Sequence, residues 1–277
     1  MKIIENSEMF TQIVNSYKHE KKHCGTNMIL MQNQIDDRIN SSKLYYDLIE
    51  GVLWFFEKNE DYYTAYFYLP KEERLRLTPQ DLDIIVGIIG NQNRYNTQWE
   101  TELLESGFEK YNKNLEFLTK KEQYQDLIEK QKEKINSFVE RMGCYCRSAK
   151  KEDYDAMYQM WRSKIDKYAI PTMTDKEIEE MEKYNRGLLI LNEKNEILAT
   201  ISYSREGNKA VGLHGVSLNT GLGGFMLPSI IASAFQEGCD RFVGWIWENN
   251  TDSLMNARWF SDKTGKFCQQ FLMRKAN

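Results

Sequence analysis

The chain has 277 residues, a formal net charge of -4, and 41% hydrophobic and 28% charged residues. That length suits one large domain or two of roughly 140 residues, and the composition excludes a disordered or collagen-like chain. The mild negative charge excludes nucleic-acid binding by bulk charge, no apolar run reaches the roughly 18 residues of a membrane span, and only four prolines occur, which excludes a proline-rich linker.

The first residues, MKIIENSEMF, hold no basic segment followed by an apolar core, so a secretory signal is not expected. Five scattered cysteines, an odd number, predict free thiols and a reduced, cytoplasmic setting. Met9, Phe10, Ile13, Val14 and Tyr17 recur at helical spacing, with Asn6 or Ser7 as the cap. His19 and His23 stand four apart beside Cys24, a spacing that metal ligands on one helix face share. Glu20, Lys21 and Lys22 around them favour solvated surface, and no metal is expected. GVLWFFE at 51–57 and YYTAYFYL at 62–69, joined by a short polar turn, predict a β-hairpin. A strand over 82–89 follows, then a helix over 97–106 closed by Gly107, then a strand over 111–118. Residues 119–142 place Tyr124, Leu127, Ile128, Ile135, Phe138 and Val139 among mixed charges, which predicts an amphipathic connecting helix stopped at Gly143.

The second half begins with a strand over 144–148. A helix opening at 151–153 carries Tyr154, Met157, Tyr158, Trp161 and Ile165. Thr174 and Glu177 have capping-box spacing, predicting a second helix to about 185. Strands over 188–191 and 197–203 form a hairpin, and 210–218 is a third strand. The loop Gly221-Leu222-Gly223-Gly224 leads into an apolar helix over 225–236, stopped by Gly238. A strand over 241–248, a helix over 249–263 and a strand over 267–274 complete the chain. The expected fold is α/β with a mixed sheet, in two domains: 1–120 and 144–277, joined by the helix 121–143.

The glycine loop carries the chemistry. Glycines at 221, 223 and 224 let main chain come close to a ligand and adopt positive φ. Free N–H groups at a helix start attract phosphate oxygens. Taken with Leu213-His214-Gly215-Val216, with Glu248-Asn249-Asn250 closing the next strand, and with the helix before Gly265, these glycines give residues 144–277 a likeness. The segment resembles a GCN5-related N-acetyltransferase (GNAT) domain. The resemblance implies an acyl-CoA N-acyltransferase-like fold with acetyl-CoA or another acyl-CoA as donor. It places Asn219, Thr220, Gly221, Leu222, Gly223 and Gly224 at the donor's pyrophosphate, and the backbone of Leu213, Gly215 and Val216 at the thioester carbonyl. Asn250 is either a ligand contact or a helix cap. His214 and Glu248 lie on two strands that splay apart in the family, and either could take the acceptor's proton, directly or through water.

Two features depart from the family. Its Arg or Gln ahead of the glycines is replaced by Ser217-Leu218-Asn219-Thr220, without a cation. Its tyrosine acid in the last helix is absent, and the position four before Gly265 is Ser261, the candidate acid in its place. A thiolate, with pKa about 8.5, is a fairly good leaving group without that acid. The missing cation opens a second donor class, an acyl group on a carrier protein's phosphopantetheine or on tRNA. The missing tyrosine opens a third reading, a catalytically degenerate binding protein. The acceptor is expected to be a small-molecule or peptide amine. The acidic first 143 residues (19 Lys+Arg, 24 Asp+Glu) lean slightly toward a cation. No nucleic-acid or membrane partner is expected.

The first half also resembles the family, in its strand 84–89, helix 98–106 and strand 111–118, with Tyr95 and Trp99 near the helix start. Its 70–79 stretch is too short and charged for a pyrophosphate loop. A tandem protein with a degenerate N-terminal copy is implied, the alternative being an unrelated α/β cap. Trp245, Trp247, Trp259, Phe260 and Phe267 are expected mostly in the core, with Trp245 and Trp247 able to line an acceptor pocket.

Overall fold

The computed structural model describes residues 1–91, 93–218 and 222–276, and only the backbone of 132–136 and 138. The chain divides into two compact units, Met1–Asn114 with Lys266–Asn277, and Leu115–Gly265. This differs from the expected boundaries at 120 and 143. The helix expected as a connector lies inside the second unit, and the C-terminal strand belongs to the first.

Unit 1 contains β1 (Lys2–Ile3), α1 (Ser7–Glu20), β2 (Cys24–Thr26), α2 (Gln32–Asn40), β3 (Leu44–Ile49), β4 (Val52–Lys58), β5 (Tyr62–Pro70), β6 (Asp83–Asn91), α3 (Thr97–Glu105) and the start of β7 (Glu109–Lys120). Asn6 caps α1, its Oδ1 accepting the Met9 N–H at 2.8 Å. That helix ends at Glu20, and His23 lies beyond it with φ +60, so the two histidines do not share a helix face. The sheet order is β1-β3-β4-β5-β6, antiparallel up to β5 and parallel from β5 to β6. The run in β4 lacks polar alternation because both its faces are covered. Val52, Trp54 and Phe56 pack with Phe67, Leu75 and Phe271, while Leu53 and Phe55 pack with Phe10, Val14, Ile35 and Ile39.

Unit 2 contains the rest of β7, then α4 (Lys121–Arg141), β8 (Cys144–Ser148), α5 (Tyr154–Lys164), α6 (Asp175–Lys183), β9 (Gly187–Asn192), β10 (Ile197–Glu206), β11 (Lys209–Ser217), α7 (Gly223–Gln236), β12 (Arg241–Trp247) and α8 (Thr251–Ala257). The strand β13 (Asp262–Met273) starts here and continues into unit 1, where its residues 266–273 run antiparallel to β6. The sheet order β8-β9-β10-β11-β12 is antiparallel up to β11 and parallel from β11 to β12. One face is covered by α5 and α6, through Met157, Trp161, Ile178 and Met181 against Leu189, Leu191 and Val216. The other is covered by α4 and α7, through Ile128, Ile230, Ile231 and Phe235 against Tyr203, Ala210 and Phe242. The capping box of α6 forms as expected. The Glu177 N–H donates to Thr174 Oγ1 at 3.2 Å, and the Thr174 N–H to Glu177 Oε2 at 2.7 Å.

The two units repeat one another. The series β1, α1, α2, β3, β4, β5, β6, α3 in the first matches β8, α5, α6, β9, β10, β11, β12, α8 in the second, with the same pairing directions. A helix, α7, joins β11 to β12, whereas β5 runs to β6 through 71–82 without one. The first unit thus lacks a counterpart of α7. The last helix is shorter than expected. α8 stops at Ala257, Ser261 turns back so that its Oγ donates to the Ala257 carbonyl at 2.6 Å, and Phe260 enters the core at 7% exposure.

Candidate active site

The site begins with a fork in the sheet of unit 2. β11 and β12 pair in parallel only at Lys209–Arg241, Ala210–Phe242 and Val211–Val243. Beyond Val211, β11 continues to Ser217 and β12 to Trp247 without pairing to each other. Gly212 stands where they part. A Cβ there would lie 3.1 Å from the Phe242 ring and 3.5 Å from the Val243 carbonyl oxygen, so any side chain at the fork would press on Phe242. On its other edge β11 carries a bulge. Ile201 faces Gly215 and Tyr203 faces Gly212, which leaves Leu213 and His214 opposite Ser202 alone. The bulge falls within the segment expected to hold the thioester carbonyl.

The helix α7 starts beside the end of β11. Gly223 and Gly224 are its first two residues, with Leu222 as the cap, in helical rather than positive φ. The expectation of positive φ at these two positions is corrected. A Cβ on Gly223 would make only ordinary contact, 3.5 Å from the Ser217 Cβ, and one on Gly224 would lie 3.4 Å from the Asn256 Oδ1. Among the described residues, these contacts are looser than the one at Gly212. The first N–H groups of a helix have no partner within the helix itself, and such a helix start suits an anion. Leu222 itself is fully buried against Ile190, Ala199 and Met226, so its side chain anchors the helix start in the core. Asn219, Thr220 and Gly221 lie outside the described residues.

His214 is 8% exposed and its ring meets the indole of Trp161 on α5 at 5.0 Å between centroids. Burial pushes its pKa down from 6.5 to about 4, so it is neutral at pH 7. Thr200 and Ser202, alternate residues of β10, point to the same face of the sheet as Val216 and Leu189. Their hydroxyls, and the Trp161 Nε1–H, are buried without a hydrogen-bond partner. Three buried polar groups without a partner, one of them on the indole that meets His214, mark places that water or a substrate polar group would complete. Sequence reading missed Trp161, Thr200 and Ser202 as site residues, because helical or strand periodicity marks all three as core.

Of the other candidates, Glu248 is exposed past the end of β12. Asn250 caps α8, its Oδ1 accepting the Ser253 N–H at 3.1 Å. The Ser261 hydroxyl is engaged with Ala257, as above. Gly215 is exposed, and a Cβ there would lie 3.3 Å from the Ile201 side chain, while Val216 joins the α5 cluster. Phe260 is core, but Trp247 is 41% and Trp259 71% exposed, which corrects the expectation that the aromatic set is mostly buried. Replacing Ser261 by alanine should cost about 1 kcal/mol in chemical unfolding, the worth of one hydrogen bond. Any activity is expected to persist in that variant.

No protein-family model and no curated protein matches the sequence. Solved structures do. A GCN5-related N-acetyltransferase from Sphaerobacter thermophilus aligns over 98% of this chain and 92% of its own, with TM-score 0.55 and 8% identity. A tandem GNAT protein from the clavulanic acid biosynthesis pathway aligns over 87% and 88%, with TM-score 0.54 and 8% identity. A GCN5-related N-acetyltransferase from Kribbella flavida aligns over 88% and 93%, with TM-score 0.52 and 10% identity. This chain has the GNAT fold. Likeness at such low identity carries the architecture alone. The fork, the bulge and the glycine-started helix are observations on this chain itself. Among the described residues no helix is long and apolar enough to cross a membrane, and no three His, Cys, Asp or Glu gather as a metal-binding group.

Proposed function

We propose that unit 2 is an N-acyltransferase that moves an acetyl or other acyl group from acyl-CoA to an amine by direct attack. The observation that carries this is the fork at Gly212, followed in the chain by a helix that starts on Gly223 and Gly224. The N–H groups at Gly223 and Gly224 would receive pyrophosphate oxygens, with Asn219 to Gly221 proposed alongside them. Acyl-CoA supplies a thioester carbonyl for the amine to attack. Backbone amides of Leu213 to Val216, freed from a regular ladder by the bulge, would stabilise negative charge developing on that carbonyl oxygen. His214, held neutral by burial, would accept a proton only in passing, so Glu248 or water carries it to solvent. Thr200, Ser202 and the Trp161 N–H would bind polar atoms of the acceptor or the water that relays its proton.

Calorimetry with CoA and acetyl-CoA tests the reading, together with a thermal-shift measurement. Binding should raise Tm, and Gly223→Glu should weaken it more than tenfold, by setting bulk and negative charge against the diphosphate. Absence of binding at millimolar CoA would remove acyl-CoA as donor. A carrier-protein donor is the second reading. It is supported by the lack of any Lys or Arg from Ser217 to Met226 and by the exposed Trp247, Met255 and Trp259 around α8, apolar surface that a protein donor could cover. Faster turnover with acylated carrier protein than with acyl-CoA would favour it. A small-molecule or peptide amine remains the proposed acceptor, and detectable acyl transfer that Gly223→Glu abolishes would exclude a binding-only protein.

A further inference from the structure

The fork of unit 1 is filled by the chain itself. β5 and β6 pair in parallel from Tyr62–Asp83 to Ala65–Val86 and then part, as β11 and β12 do. Along the parted stretch, β5 pairs antiparallel with β2, Cys24 with Pro70, Gly25 with Leu69 and Thr26 with Tyr68. The next residue, Asn27, is 8% exposed and reaches across the gap. Its Oδ1 accepts the Phe67 N–H at 2.7 Å. Its Nδ2 donates to the Gly87 carbonyl of β6 at 3.1 Å and to the Ala65 carbonyl of β5 at 3.3 Å. One carboxamide thus bridges the two strands where their own ladder stops. Thr26 reinforces it, its Oγ1 donating to the Phe67 carbonyl at 2.6 Å and accepting the Met28 N–H at 3.0 Å.

The segment is fitted, not merely adjacent. A Cβ on Gly25 would lie 2.6 Å from the Trp99 ring, so only glycine passes under that indole. Trp99 in turn stands edge-on to Phe67 at 5.0 Å. In unit 2 the corresponding link between α5 and α6 takes another course. It turns through a short 3-10 helix, Lys167–Ala169, buries Tyr168 and Ile170, and pairs with no strand. The β4–β5 register also runs without the bulge that marks β10–β11.

We propose that unit 1 has given its ligand cleft to its own chain: β2 and Asn27 occupy the fork that an extended donor would enter, leaving one donor cleft per molecule, in unit 2. The filled fork stands on the unit 1 geometry; the count of one rests on the function proposed above.

Hydrogen exchange on the intact protein, with native mass spectrometry in the presence of CoA, tests both parts. Amides of 24–27 and 66–70 should be protected to the level of β4. Asn27→Ala, and Asn27→Asp, which keeps the acceptor but loses both donations, should speed exchange at 65–70 and 84–88 at least tenfold while 209–217 and 241–247 stay unchanged. Exchange of 24–27 at the rate of free peptide in the wild type, or no change in either variant, would overturn the filled fork. One CoA per wild-type chain and none in Gly223→Glu supports the single cleft. Two CoA, or one retained by Gly223→Glu, overturns it. No CoA in any form removes the function proposed for unit 2, and the exchange data still decide unit 1.

Discussion

Glu237→Ala should cost about 3–5 kcal/mol of folding free energy and lower Tm by about 10 °C. Glu237 follows the last residue of α7 and faces Arg186, which is 8% exposed. The guanidinium grips it with Nη2 at 2.6 Å and Nε at 3.1 and 3.2 Å, and reaches Glu180 at 2.9 Å. The Tyr203 hydroxyl adds a bond at 2.8 Å, and Arg205 donates to the Glu237 backbone carbonyl at 2.7 Å. Burial alone would push the Glu237 carboxyl up; the bonds from Arg186 and Tyr203 outweigh it and hold the group below its ordinary range. Removing the carboxylate leaves a buried guanidinium with only the half-exposed Glu180, and leaves the Tyr203 hydroxyl without its acceptor. The cost is that of an uncompensated charge, not the net worth of the pair. Arg186→Met with Glu237→Leu should therefore recover most of the loss. Urea unfolding checks this, and a loss below 1 kcal/mol in Glu237→Ala would mean that water already screens the pair. The network ties the C-terminal end of α7 to β9 and β10, so it holds the helix whose other end faces the proposed donor.

Much of the second unit could be read from its residues. Capping chemistry at Thr174 and Asn250, the apolar run of α7 and the polar turn at 192–195 are local signals, and each corresponds to the element observed. What local signals do not carry is pairing. The hairpin β3–β4 turns on Glu50-Gly51, both at positive φ (+47 and +80), where Asn or Asp commonly stands first, and α2 has only Ile35 and Ile39 on its buried side. Both elements escaped notice for that reason. The three residues of β2 become a strand only because β5 has an open edge there. The destination of 266–273 is likewise set by β6, far away in sequence.

The glycines show the same division. Gly212, Gly223 and Gly224 look alike as letters, yet among the described residues the first is the most tightly approached, with 3.1 Å from a Cβ to the Phe242 ring against 3.5 and 3.4 Å at the other two. A glycine that the fold needs and a glycine that a ligand needs are told apart by what a Cβ would strike, and that is information only coordinates hold.

Acidification from pH 7.5 to 5 should remove about 2 kcal/mol of stability through His214 alone, rising to about 3 kcal/mol below pH 4. The imidazole is pushed down to about 4 because it is buried beside Trp161, with no carboxylate among the causes. In the unfolded chain it returns to about 6.5. Between those values the unfolded state takes up a proton that the folded state refuses, so falling pH favours unfolding; above pH 7 neither form binds it and the effect vanishes. Most carboxylates titrate below this range, which leaves the window from 6.5 to 5 largely to histidine. Unfolding free energies of the wild type and His214→Gln at pH 7.5 and 5 isolate the contribution, since the variant cannot titrate there. The wild type should lose about 2 kcal/mol more than His214→Gln over that interval. Parallel losses in the two proteins would mean that His214 is solvated or charge-paired in the folded state. In that case it could serve as an ordinary base of pKa near 6.5, and the assignment of the proton to Glu248 or water would have to be reversed.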